Sequence, residues 1–289
     1  MALELQILLP AFLACLVLTG IHAYLGLHVL AREVIFIDIA LAQIAALGAA
    51  VAALYGLETH SRGSYAWSLG FTLVGAVIFA ATRGVRHRVP VEAVIGITYA
   101  VAAAAAVVVA NFLSHGDEEI KELLIGNLLA VRFQDVAWTA GIYSLLGLFH
   151  WIFRRQFISL SFDGHVATAP AGPGIGGPSH RRDMFWDLLF YASFGAVITS
   201  SVHMAGVLLV FSFLIVPAVF SALFTSRLRM RLLIAWTLGA TVSIAGLWGS
   251  FKFDLPTGAA VVVTFGVALI LGAIVRALIA PKAPPPGAV

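Results

Sequence analysis

Nine runs of apolar residues along this chain reach the length needed to cross a lipid bilayer: 5–30, 34–57, 65–82, 91–113, 136–153, 184–200, 202–224, 232–250 and 256–280. A hydrocarbon core of about 30 Å needs about 20 such residues per helix. The composition agrees, with 61% of residues hydrophobic and 11% charged, where soluble domains carry roughly 25% charged residues. The expected fold class is therefore all-α, a polytopic transmembrane helical bundle. The segment 199–203 offers only a very tight turn, so the sixth and seventh runs are either two spans or one long or broken helix, giving eight to nine spans.

No Lys or Arg precedes Arg32, so the first run lacks the basic n-region of a cleaved signal peptide and is expected to stay in the protein. The single cysteine, Cys15, excludes an internal disulfide framework and a cysteine zinc cluster. The net charge of +3 does not point to nucleic acid, because the basic residues sit in short loops between apolar runs.

Those loops orient the bundle, since Lys and Arg favour the cytoplasmic side. With the N-terminus outside and the C-terminus cytoplasmic, Arg32, Arg83, Arg86, Arg88, Arg154, Arg155, Arg181, Arg182, Arg227, Arg229, Arg231, Arg276 and Lys282 fall inside. Only Arg62, Lys121, Arg132 and Lys252 fall outside. The external loop 115–135 is acidic through Asp117, Glu118, Glu119, Glu122 and Asp135; it either attracts cations or a partner's basic rim, or is simply solvated. The cytoplasmic loop 163–182, rich in Gly and Pro, reads as a flexible linker with His165 and His180 solvated, and 284–289 as a disordered tail. Residues 1–283 form a single transmembrane domain on this reading.

Polar groups at membrane depth are costly and each needs a reason. Asp38 lies early in the second run, and Gln43 five residues on sits roughly 140° round the helix from it. They occupy adjoining faces, with Asp38 either a site residue or close enough to the surface to meet water and Arg32. Glu92 opens the fourth run as a charge favourable to a helix N-terminus. His22, His28, His150 and His203 are further imidazoles at or near membrane depth, as packing residues or as ligands. No GxxxxGK[ST] loop, HExxH or GxSxG is present, so the chemistry expected is movement driven from elsewhere.

Several blocks resemble the permease subunits of ATP-binding-cassette importers of zinc, manganese or iron. LAREVIFIDIALAQIAALGAAVA (30–52), VEAVIGITYA (91–100), IKELLIGNLLAVRFQDV (120–136), ISLSFDG (158–164), MAGVLLVFSFLIVPAVFSALFTSRLRM (204–230) and FDLPTGAAVV (253–262) are similar to that family's motifs in the same order. Gly48, Gly126, Asn127, Asp254, Pro256 and Gly258 fall on motif positions. The resemblance implies a homodimeric permease with no permanently bound cofactor. A cytoplasmic ATPase subunit would bind the ATP, and an extracytoplasmic metal-binding protein would deliver a divalent metal, zinc ranked first and manganese or iron next. It implies a translocation path at Asp38, Gln43, His203 and Glu92. It also implies a coupling segment at 217–231 through Pro217, Ala218, Ser221, Leu223, Phe224, Arg227 and Arg229. The residues agree with that segment: Pro217 ends or kinks its span, and Val219, Leu223 and Phe224 can offer an apolar ridge to a soluble partner.

The chain also departs from the family pattern. Gln43 stands where the family has its His, Ile39 where it has Asp and Leu47 where it has Pro, with Asp38 one position off. His203 stands where the family has Gln, as though imidazole and amide had exchanged helices. The alternatives are an ion-coupled secondary transporter working without an ATPase, which would show internal repeats, and a membrane scaffold that transports nothing.

Overall fold

The computed structural model describes residues 2–58, 61–84, 89–113, 128–162 and 178–279. Gly126, Asn127, the linker residues 163–177 and the tail lie outside them. Ten α-helices and no strand occur among the described residues: α1 (Ala2–Ala31), α2 (Ile37–Leu54), α3 (Arg62–Ala81), α4 (Val91–Ala110), α5 (Phe133–Ile152), α6 (Arg154–Phe162), α7 (Pro178–Ala205), α8 (Val207–Phe224), α9 (Leu228–Phe253) and α10 (Thr257–Ile279). Eight are long and apolar enough to span a membrane on their own; α5 qualifies only together with α6, from which it is bent by 76°. The expected all-α bundle of eight to nine spans is the fold found. Asp135 explains where α5 starts, because its carboxylate accepts from the Arg132 backbone amide at 3.0 Å and caps the first turn.

The helices pack as two groups. In one, α2 lies against α3 and α4, and α3 against α7; in the other, α1, α8, α9 and α10 pack on one another. Small residues set these distances, since helices in lipid gain from close backbone approach. A Cβ on Gly48 of α2 would come within 2.7 Å of Ser68 Cα on α3. A Cβ on Gly26 of α1 would overlap the Leu214 carbonyl oxygen of α8. The two groups exchange the chain at Gly206.

That exchange corrects the expected turn at 199–203, through which α7 runs unbroken. The serine hydroxyls of that segment bond back along the helix, Ser200 Oγ to Ala196 O at 3.0 Å and Ser201 Oγ to Val197 O at 2.7 Å, so they need no solvent. The break falls at Gly206, whose φ of 78° and ψ of 160° are open essentially to glycine alone. Gly206→Ala is accordingly expected to cost about 1–3 kcal/mol, seen as a lower thermal midpoint in detergent; an unchanged midpoint would place the turn's strain elsewhere. Of the two expectations at Pro217, an end or a kink, the end does not occur: α8 continues through it to Phe224, where the seventh apolar run was read to stop. A span tolerates the missing amide because neighbouring helices and local adjustment satisfy the freed carbonyl.

Candidate translocation site and coupling surface

Asp38 is the second residue of α2 and is buried. One carboxylate oxygen accepts from the Ile39 amide at 2.8 Å, while Oδ2 has no hydrogen-bond partner. The expected approach to Arg32 does not occur, because Arg32 turns to Asp187 instead. Gln43 is also buried on α2, and His203, half-buried at the end of α7, has Nδ1 2.9 Å from the Thr199 carbonyl and its ring beside that of Tyr65 at 6.0 Å. Glu92 is exposed in the first turn of α4, behind Pro90.

The contacts of α3 give the relative depths. Gly75 of α3 lies against Leu41 and Ile44 of α2, and Trp67 and Ser68 against Gly48. Thr72 bonds Thr199 at 2.8 Å and Tyr65 faces His203, so α3 runs antiparallel to both neighbours. Gln43 thus lies level with the region of Gly75 and His203 with Tyr65, roughly 14 Å apart at about 1.5 Å per residue. Asp38 lies deeper still in the same direction. The three are therefore stacked at successive levels and cannot share one ion, and no group of three or more His, Cys, Asp or Glu placed to hold a metal occurs among the described residues.

A buried cluster of ion pairs lies elsewhere and was not anticipated. Arg32, just past the end of α1, donates from Nη1 to Asp187 Oδ1 at 2.8 Å and from Nε to Ser161 Oγ of α6 at 2.8 Å. Its guanidinium stands 3.9 Å above the Phe190 ring. Arg83, in the single 3-10 turn after α3, takes the other oxygen of Asp187 and reaches Asp183 at 3.2 Å. Asp187 carried the same signal as Asp38, a carboxylate four residues into an apolar run. Its two partners, Arg32 and Arg83, come from two other segments and carried none.

The histidines of α1 and α5 belong to this polar packing. His28 Nδ1 is 2.8 Å from Ser161 Oγ, His22 Nε2 is 3.2 Å from Ser201 Oγ, and His150 sits between Ser193 Oγ at 2.8 Å and Tyr24 OH at 3.3 Å. Each imidazole meets a hydroxyl on a neighbouring helix, the arrangement that ties helices together in lipid.

At the far end of α8, Pro217, Ala218 and Ser221 are buried inside the bundle, Ser221 Oγ donating to Ala218 O at 2.8 Å. Leu223 is half-buried, while Phe224, Arg227, Arg229 and Met230 are exposed. Arg231 Nε donates to Thr225 O at 2.8 Å and fixes the short corner into α9. The surface open to a partner is therefore narrower than 217–231 and centres on that corner. At the other end of α9, Asp254 takes the left-handed conformation (φ 53°, ψ 45°), and Ser250 Oγ bonds Leu255 O at 2.7 Å and Thr257 at 2.9 Å. Pro256 then opens α10, in which Gly258 is buried. These motif residues build a helical hairpin.

Comparison with known proteins places this arrangement. The family model described as the ABC 3 transport family matches residues 4–276. The manganese transport system membrane protein MntC of Listeria innocua is 31% identical over 206 residues, 69% of this chain and 70% of that protein. A probable iron transport system membrane protein of Haemophilus influenzae is 23% identical over 278 residues, 95% of this chain and 90% of that one. The solved structure of PsaBC from Streptococcus pneumoniae in complex with Fab superposes with a TM-score of 0.74 at 23% identity, over 96% of this chain and 93% of that one. With a family match spanning nearly its whole length and the same bundle architecture, this multi-pass membrane protein belongs to the ABC 3 transport family.

Proposed function

We propose that the chain is the permease subunit of an importer that carries a divalent metal across the cytoplasmic membrane, and that manganese precedes zinc as its cargo. Family membership over 4–276 carries the transport reading. The donor chemistry supports the order of metals. The buried side chains of α2 offer a carboxylate at Asp38 and an amide at Gln43, and oxygen donors suit manganese where imidazole suits zinc. Relatives named for manganese and iron transport point the same way. The ion passes His203 first, then Gln43, then Asp38, moving from imidazole to oxygen contacts held loosely enough for release. Residues 1–283 act as one transmembrane unit with the N-terminus outside, paired with a second copy and fed by an extracytoplasmic binding protein. ATP is hydrolysed on a separate cytoplasmic subunit, docked at the corner from Phe224 to Arg229.

The test is ATP-dependent uptake by the chain and its ATPase in proteoliposomes. Manganese is expected to be taken up in preference to zinc, and Gln43→His to shift that preference toward zinc by about tenfold, the scale of one good ligand contact. Zinc uptake exceeding that of manganese in the parent protein would overturn the assignment of the cargo, and no ATP-dependent uptake of either would overturn the transport reading.

A further inference from the structure

We infer that the Arg32–Asp187–Arg83 cluster is a lock across the seam between the two helix groups, closed in this structure and parted during transport. The inference rests on the transport reading above. α1 belongs to one group and α3 and α7 to the other. Across that seam α1 and α7 meet through long side chains, Arg32 with Asp187 near one end and His22 with Ser201 toward the other. Tyr24 of α1 continues the line through His150 to Ser193 of α7. A seam lined with hydroxyls and imidazoles is a surface along which two packed bodies can separate, because each polar group can take up water as it is exposed.

The charges are placed to hold such a seam shut. Both oxygens of Asp187 are used, one by an arginine from each side of the division. Burial is graded: the Arg32 and Asp187 side chains are 2% exposed, Arg83 12% and Asp183 29%, so water reaches the outer member first. Ser161 brings α6 into the same cluster, and a single residue, Phe153, separates α6 from the end of α5 at the 76° bend. A displacement of α6 therefore bears directly on Arg32. Buried ion pairs add little net stability over apolar packing, and their best-attested use is to select between alternative arrangements.

The lock can be tested on the full chain in nanodiscs without any transport assay. In a Cys15→Ser background, Ser193→Cys places a thiol on the seam-facing line of α7, and its rate of reaction with a maleimide reports parting. Asp187→Asn is expected to raise that rate at least tenfold, because two arginines then face an uncharged amide, while Asp187→Glu stays near the parent rate. An unchanged rate in Asp187→Asn would overturn the lock. If that variant does not fold, His22→Cys with Ser201→Cys, which faces the same α1–α7 seam and leaves the charged cluster intact, is joined by a cleavable bifunctional thiol reagent in proteoliposomes containing the ATPase. Loss of uptake on joining and its return on cleavage is the expected result, and uptake that survives joining overturns the lock. Failure of the parent protein to transport would count against the transport reading alone, since the labelling rates are read without it.

Discussion

Phe224→Asp combined with Arg229→Glu is expected to abolish co-purification with the ATPase subunit while the chain remains monodisperse and inserted. Phe224 is, with Met230, a large apolar side chain left open at the α8–α9 corner, 39% exposed where Ser221 and Pro217, one and two turns before it, are buried. An exposed aromatic ringed by arginines is the composition of an interface anchor, apolar at the centre with charge at the rim. Placing a carboxylate at the anchor and reversing one rim charge should weaken association by about 100-fold or more, equivalent to roughly 2.7 kcal/mol. ATPase stimulation should fall with it. Normal association in the double variant would remove the docking role from this corner, and burial already removes Pro217, Ala218 and Ser221 as contact residues.

The second large effect is steric. Gly26→Val should leave little folded protein, because the added carbons meet the backbone of α8 at Leu214, which has no rotamer to change, and the Cβ of Ala218 beyond it. Overpacking costs typically 1–3 kcal/mol and more when the obstacle is main chain, so the cost here is expected at about 3 kcal/mol or above. Size-exclusion profiles in detergent check it; a monodisperse Gly26→Val protein melting with the parent would mean that α1 and α8 are not held as close as they stand here. Gly20, on the same helix with open space around it, is the control, and Gly20→Val should be tolerated.

What could be read from the sequence followed from local chemistry. Apolar run length placed eight of the spans within a few residues, whereas Asp254, Pro256 and Gly258 were marked only by the family resemblance, and the hairpin they build became visible in the fold. The turn between α7 and α8 was misplaced for a physical reason: in water Thr199, Ser200 and Ser201 would favour a turn, but within the bundle the Ser200 and Ser201 hydroxyls close onto carbonyls one turn back, Thr199 pairs with Thr72 of α3, and the helix continues. Gly206, the residue whose backbone does break, gave no signal among so many glycines. Asp38 and Gln43 could be found because a polar side chain in an apolar run is conspicuous wherever it points. The Asp187 cluster could not, because its meaning lies in which arginines reach it. Arg32 and Arg83 read as ordinary loop charges until the fold brought them to one carboxylate.

The pairing of α1 also bears on how the protein is made. Its polar side chains find their partners very late in the chain: His28 waits 133 residues for Ser161, Arg32 waits 155 for Asp187 and His22 waits 179 for Ser201. At roughly 5–20 residues per second, the last of these intervals is on the order of 10–40 s of synthesis. Until those segments emerge, α1 carries two imidazoles, and Arg32 just past its end a guanidinium, without their interhelical partners, and the packing surfaces of α1 for α8 and α9 face lipid or the insertion machinery. A nascent chain arrested before α7 is thus the form most exposed to membrane proteases. The yield of this protein should depend more on how long insertion holds α1 than on the stability of the finished bundle.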